Sequence, residues 1–179
     1  MEVESERLSI RWPEISDAWP LYQGYFSDIA ASKFLGRAAH SNPEVTLRSI
    51  ELWRSFRYDV QADTRVLSVV LKASLQPIGI MVLKREGTAI EIHFGLNRTY
   101  SGQGYATEMC RAMANALQAS GYHKVWSYAH IEHTASLRVL EKAGFQPARR
   151  LRSWMVFPNL SNDKQDCLEM IYKADAPAQ

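Results

Sequence analysis

The residues of this chain that can do chemistry fall into short runs, and the run Ser101-Gly102-Gln103-Gly104-Tyr105-Ala106 is the most informative of them. A β-rich segment ends near Leu96, two glycines follow, and helical spacing starts at Tyr105. Glycine lets backbone N–H groups approach a ligand without side-chain obstruction, and the first turn of a helix adds unpaired N–H groups and the positive end of its dipole. The combination is an anion cradle and implies a phosphate-bearing cofactor, although such a turn also ends strands for steric reasons alone. Two common phosphate loops do not fit. A Walker loop needs Gly-Lys-Ser/Thr where Gly104-Tyr105-Ala106 stands, and the dinucleotide fingerprint wants a third glycine where Thr107 stands.

A second run, Ile90-Glu91-Ile92-His93-Phe94-Gly95-Leu96, alternates so that Ile90, Ile92, Phe94 and Leu96 share one face of a strand and Glu91, His93 and Gly95 the other. Two ionisable groups on one side of a central strand read either as a partly wet face, ordinary in antiparallel sheets, or as a site of proton transfer. A third run, His133 to Phe145, follows the β-rich segment Lys124 to His130. Thr134 is its expected helix cap, Leu137 and Leu140 give it a buried side, and Gly144 suits a left-handed stop. The five histidines, His40, His93, His123, His130 and His133, lack the spacing and the carboxylate or thiolate company of a zinc site, so no metal is expected.

The glycine run and the His133 run together resemble the GNAT superfamily of acyl-CoA N-acyltransferases, and more narrowly the branch of the RimJ and RimL ribosomal-protein acetyltransferases. The superfamily's first motif reads Arg/Gln-x-x-Gly-x-Gly/Ala, and Ser101, Gly104 and Ala106 fall on its defined positions, with Ser101 in place of Arg or Gln. The second reads Asn-x-x-Ser/Ala, apolar residues, then Glu-Lys-x-Gly-Phe. Ser136, Glu141, Lys142, Gly144 and Phe145 match it, and His133 stands at the Asn position. Trp154 to Pro158 and a closing strand near Asp166 to Tyr172 extend the likeness over most of residues 8 to 172.

The resemblance implies an α/β fold, a mixed and mostly antiparallel sheet of six or seven strands with helices on both faces, that moves acetyl from acetyl-CoA to a primary amine by direct attack. It implies that Ser101, Gly102, Gln103, Gly104, Tyr105 and Ala106 hold the pyrophosphate of coenzyme A. The pantetheine arm is expected to lie along the strand at Phe94 and Leu96, with His133 and Ser136 against it. The amine must be neutral when it attacks, and Glu91, assisted or tuned by His93, is the expected proton acceptor, directly or through water. Many relatives place a tyrosine in the second-motif helix to protonate the leaving sulfur. Leu140 stands there instead, so Ser136 is the expected substitute. Leu140 and His133 also leave room for a rival, a non-catalytic acyl-CoA binding or regulatory module. The acceptor is a protein N-terminal amine or a small amine, with its pocket expected around Trp53, Phe56 and Tyr58 and the loop from Pro158 to Asp166.

The elements needed to place these residues are legible in outline. Leu8 to Trp12 reads as a strand, Ile15 to Phe34 as a helix or bent pair interrupted by Pro20, and Asn42-Pro43 as the start of a second helix with an apolar stripe toward Val60. Val66 to Leu71, Ile78 to Leu83 and Thr88 to Leu96 form an antiparallel meander, after which strand, helix and strand from Leu96 to His130 make a crossover and the sheet turns mixed. With 179 residues and 46% apolar content the chain is expected to be one domain ending in a loose tail from about residue 172. A charge of +2 gives no broad drive toward nucleic acid or anionic membrane, and Arg149, Arg150 and Arg152 read as a solvated strand face. Two cysteines allow no disulfide framework, no apolar run approaches a bilayer's thickness, and the expected location is the cytoplasm. Late strands with free edges make a homodimer conceivable.

Overall fold

β-Branched and aromatic runs, the central ones buried on both faces, become an eight-stranded sheet in the order β1-β2-β3-β4-β5-β6-β8-β7. A computed structural model describes residues 2–59 and 61–173 of the chain; Val60 and residues 174–179 of the expected tail lie outside them, whereas Tyr172, expected in that tail, is buried at the end of the last strand. The strands are β1 (Val3–Glu4), β2 (Leu8–Arg11), β3 (Thr64–Leu71), β4 (Gln76–Glu86), β5 (Ala89–Leu96), β6 (Lys124–His130), β7 (Phe145–Val156) and β8 (Lys164–Tyr172). All neighbours are antiparallel except β5 and β6, which are parallel. The expected mixed sheet is therefore present, with one strand more than expected. The addition is β1, two residues that fold back on β2 with Val3 opposite Ile10, too short to leave an alternation in the sequence.

Helices cover both faces. The longer core lies between the sheet and two helices, α3 (Tyr105–Ala119) and α4 (Thr134–Ala143). Met109, Cys110, Met113 and Leu117 recur at three and four residues along α3 and are fully or almost fully buried against Leu67, Val69, Met81 and Ile92. Each such side chain contributes roughly 1.5–3 kcal/mol of burial, and truncating Leu117 to alanine costs about 2–5 kcal/mol. Gly144, at φ 102°, ends α4 in the left-handed conformation. Thr134 is the first helical residue of α4 and His133 occupies the cap position without a side-chain cap bond, one residue earlier than expected.

On the opposite face a 3₁₀ turn (Ile15–Asp17), α1 (Ala18–Leu21) and a π turn (Tyr22–Phe26) wind as one continuous segment around Pro20. They pack with α2 (Pro43–Ser55) on Val66 and Ile80. Asn42 caps α2 as expected, its side-chain oxygen accepting the Val45 N–H at 3.1 Å, and Pro43 follows at the first helical position. The π turn lies hard against β5 because two glycines allow it. A Cβ on Gly24 would come within 2.2 Å of the Asn97 side-chain nitrogen, and one on Gly95 within 2.0 Å of the Tyr25 hydroxyl.

The feature that shapes the site is the parting of β5 from β6. Their ladder covers Ala89 with Lys124, Ile90 with Val125 and Glu91 with Trp126 and then stops. Beyond it β5 stays paired with β4 as far as Leu96, while β6 runs on with β8. The bond from Asn97 N–H to Ile78 C=O, 2.7 Å, fixes the phase of β5. Peptide groups alternate in direction along a strand, so the N–H groups of Phe94 and Leu96, beyond the end of the β6 ladder, point away from β4 and into the gap.

Candidate active site

At the top of the gap the chain leaves β5 through a 3₁₀ turn (Arg98–Tyr100), crosses the glycine loop and enters α3. Gly102 (φ 76°) and Gly104 (φ 84°) both take the left-handed conformation, which would cost a non-glycine residue about 1–2 kcal/mol. Gly104 occupies the helix cap and offers no side chain, so the N–H groups of Tyr105, Ala106 and Thr107 have no partner among the described residues. They form the open N-terminal end of a fifteen-residue helix, where the backbone dipole favours negative charge.

The loop is braced from β2's side of the sheet. The Glu108 carboxylate accepts from the Arg7 backbone N–H at 2.8 Å, Arg7 Nε at 2.7 Å and the Ser5 hydroxyl at 2.7 Å. Arg7 also donates to the Gln103 carbonyl at 3.0 Å and stacks over the Tyr105 ring at 4.2 Å. Burial pushes the Glu108 carboxyl up, but these hydrogen bonds and the Arg7 charge outweigh it and hold it below the usual range.

A groove of about 950 Å³ starts at this loop, passes the parting of β5 and β6, and reaches Tyr25 and the segment from Ala30 to Leu35. Phe94, Leu96, Ser101, Gly102, Gly104, Tyr105, Ala106, His133 and Ser136, all singled out from sequence, line it together. Gln103 does not, because its side chain turns back to the Thr99 carbonyl at 3.1 Å. Near the loop the walls carry Arg7, Arg98, Arg111, Arg138 and Lys142, a cationic setting for a polyphosphate. The Ser136 hydroxyl, on the first turn of α4, makes no hydrogen bond to any described protein group, unlike Ser49 and Ser120, whose hydroxyls fold back to the carbonyl four residues earlier. His133 is half-buried and stacks on Phe34 at 4.7 Å; burial, with the charge of His130, pulls its pKa down, so the ring sits neutral beside the groove. Leu140 is fully buried in the longer core.

Glu91 and His93 share a face of β5, as the alternation requires. Glu91 is buried at 4% exposure, and its Oε1 accepts from Lys84 Nζ at 2.9 Å and meets His93 Nε2 at 2.6 Å. Burial raises the carboxyl's pKa, but His93 and Lys84 more than reverse that and keep it below the ordinary range. His93 is the partly open member of the pair and stands edge-on to Tyr128 at 4.6 Å.

The geometry is thus a strand edge offered to an extended ligand, with an anion-binding helix end on one side and ionisable groups on the other. Residues 7–146 match the acetyltransferase (GNAT) domain family. The chain belongs to the GNAT family. Membership makes it an acetyltransferase with acetyl-CoA as its donor. The uncharacterized N-acetyltransferase p20 of Bacillus licheniformis is 24% identical over 154 residues, covering 84% of this chain and 85% of that protein. A GNAT-family acetyltransferase from Bacillus anthracis has the same fold, with TM-score 0.82 and 24% identity over 96% of this chain and 97% of its own. RimL, a ribosomal L7/L12 α-N-protein acetyltransferase, superposes with TM-score 0.80 at 15% identity over 96% and 93% of the two chains.

Within this GNAT chain some site-forming residues carry no sequence signal. Arg7 and Glu108 meet across 101 positions, and nothing in the spacing announces the pair beyond an acid in the first turn of α3. The far end of the groove is also formed differently from expectation. Trp53 packs on Phe26 at 5.8 Å inside the second core and Tyr58 is 83% exposed, whereas Tyr25, Phe34 and Leu35 line the groove. The loop after Phe157 does contribute, as a brace: the Asn159 side-chain amide donates to the Ser32 and Arg37 carbonyls, each at 2.7 Å. Arg149 and Arg150 pair with Glu169 and Asp166, which fits a solvated strand face. No helix of the described residues is long and apolar enough to cross a membrane.

Proposed function

We propose that this GNAT enzyme transfers acetyl from acetyl-CoA to a primary amine, a protein N-terminal amine or that of a small molecule, by direct attack on the thioester. The observation that carries the reading is the single groove joining the unpaired amides of α3, the free N–H groups of β5 and the acceptor-side segment from Tyr25 to Leu35. The amides from Gly102 to Ala106 would hold the diphosphate, with Arg98, Arg111, Arg138 and Lys142 offsetting its charge. The pantetheine arm would pair with β5 as an added strand, and the N–H of Phe94 or Leu96 would polarise the thioester carbonyl.

Glu91 is bonded to His93, and neither side chain lines the groove. The proton-accepting role of Glu91 therefore runs through His93 or a water, with the carboxylate fixing the orientation of the imidazole. Ser136 and His133 would flank the arm at the opening of α4, the serine hydroxyl within reach of the departing sulfur. RimL, a ribosomal L7/L12 α-N-protein acetyltransferase, and MccE, a microcin C7 self-immunity acetyltransferase seen in complex with acetyl-CoA and AMP, share the fold.

The test is thiol release from acetyl-CoA against peptides beginning with Ala or Ser, a polyamine, an amino acid and an aminoglycoside. Turnover with peptides alone selects the protein N-terminus, and turnover with a small amine alone selects that class. Tight coenzyme A binding with no turnover on any acceptor would replace this reading with the non-catalytic acyl-CoA module.

A further inference from the structure

Leu140 leaves α4 with no tyrosine to protonate the departing sulfur, and the serine hydroxyl of Ser136 is a much weaker acid than a phenol. Another ionisable hydroxyl does reach the groove, from the opposite face of the sheet. Tyr25, on the π turn, is 3% exposed and lines the groove. Its hydroxyl rests on the backbone of Gly95, so close that a Cβ there would fall 2.0 Å from the oxygen. Gly95 lies between Phe94 and Leu96, whose N–H groups enter the gap where the thioester would lie.

The surroundings of Tyr25 have an unusual charge pattern. The Arg37 guanidinium packs over the Tyr25 and Phe26 rings, 5.1 and 4.5 Å from their centroids. One of its terminal nitrogens donates to the Ala38 carbonyl at 3.0 Å. The other, NH2, is buried without a hydrogen-bond partner, and Arg37 has no acid within ion-pair distance among the described residues. A buried charged donor left unpaired is costly. A group that becomes anionic during turnover would relieve that cost, and the phenol oxygen of Tyr25 lies beside it. Burial raises the Tyr25 pKa, and the charge and nearby donor of Arg37 partly reverse this. His40, on the same segment, is driven to about 4 by burial and Arg37 and stays neutral; Glu91 and His93 are the ionisable groups on the facing strand.

We propose that Tyr25 is the acid that protonates the leaving thiolate, with Arg37 as the counter-charge of the phenolate that results. The amine nitrogen bonds to the acetyl carbon, the C–S bond breaks with its electron pair going to sulfur, and the Tyr25 hydroxyl proton moves to that sulfur to give the free thiol. Water in the groove then reprotonates the phenolate, and the amine's own proton leaves through His93 and Glu91. Gly95 is explained by the same arrangement, since any side chain there would displace the hydroxyl. This inference rests on the proposed amine acetylation.

The test measures kcat and the acetyl-CoA KM from pH 6 to 10, with whichever of the peptides, polyamine, amino acid or aminoglycoside above gives most turnover. Tyr25→Phe is expected to lower kcat about 10²-fold across this range at unchanged acetyl-CoA KM. Gly95→Ala, which keeps the phenol but moves it, is expected to give the same kcat loss. Arg37→Gln is expected to lower kcat at unchanged acetyl-CoA KM, and Arg37→Lys, which keeps the charge, to recover part of the loss, a rescue that a purely structural role would not produce. A Tyr25→Phe enzyme with kcat within threefold of wild type, or one altered in KM alone, overturns the assignment and leaves amine acetylation standing. A wild-type enzyme that turns over no acceptor removes both.

Discussion

The two ends of the groove are constructed on opposite principles. At the glycine loop the contacts on offer are backbone N–H groups, so the requirement on the sequence is conformational: Gly102 and Gly104 at positive φ, then a helix start. At the Tyr25 end the contacts are side chains from the π turn, from Arg37 and from β5, brought together by packing and by the Asn159 brace. A backbone-made site leaves a motif of fixed spacing. A side-chain-made site leaves none, because many sequences can put a hydroxyl and a cation at one point in space.

If that contrast holds, damage at the two ends separates into rate and affinity. Glu91→Gln, on the acceptor side, is expected to have the largest effect, lowering kcat about 10²-fold or more with coenzyme A affinity unchanged; isothermal titration beside a thiol-release assay distinguishes the two quantities. Gly104→Val forces a branched residue to φ 84° and crowds the cradle. It is expected to weaken coenzyme A binding at least about tenfold, the equivalent of 1.4 kcal/mol, with the rate at saturating donor changing far less. Glu108→Ala removes the acceptor of three hydrogen bonds and leaves Arg7 without its ion pair. The expected loss is about 2 kcal/mol of stability in a urea titration, with a smaller loss of coenzyme A affinity because the loop is then less firmly held.

The smallest expected effect is on pH dependence of folding. His40 stacks on Phe26 at 4.5 Å and its Nδ1 meets the Thr46 hydroxyl at 2.8 Å; its pKa in the fold is about 4, against an ordinary 6.5. The unfolded chain therefore takes up a proton near pH 6.5 that the folded chain refuses, so this contribution is complete above pH 6.5 and is lost progressively as pH falls toward 4. His133, also pulled down, acts with the same sign. Carboxylates such as Glu91 and Glu108, held below 4.5, are ionised in both states until the lower end of that range. Melting temperature should thus decline from pH 6.5 to 5, and less steeply in His40→Gln.

Much of the scaffold was legible because periodicity reports burial. The meander, the crossover, the Met109, Cys110, Met113 and Leu117 stripe, the Asn42 cap and the Gly144 stop all sit where their patterns place them. The loop residues from Ser101 to Ala106, with His133 and Ser136, come to one groove apart from Gln103. What escaped depends on long-range packing. The two-residue β1 has too few positions to show a period. The winding of Ile15 to Phe26 around Pro20 has apolar spacing compatible with several helix types, and the Arg7 to Glu108 bond joins residues 101 apart in sequence. The acceptor side, expected around Trp53, Phe56 and Tyr58 and the loop from Pro158 to Asp166, has no motif of fixed spacing, and packing sends Trp53 against Phe26 instead.

The account turns on backbone amides gripping a diphosphate at the opening of α3. The most direct measurement is the ¹⁵N–¹H spectrum of the labelled protein titrated with coenzyme A and, separately, with pantetheine, which lacks the diphosphate. The expected result is a large downfield shift of the Gly104, Tyr105 and Ala106 amide protons with coenzyme A and little change there with pantetheine. Saturation by coenzyme A with those amides unmoved, or equal shifts from the two ligands, would contradict it.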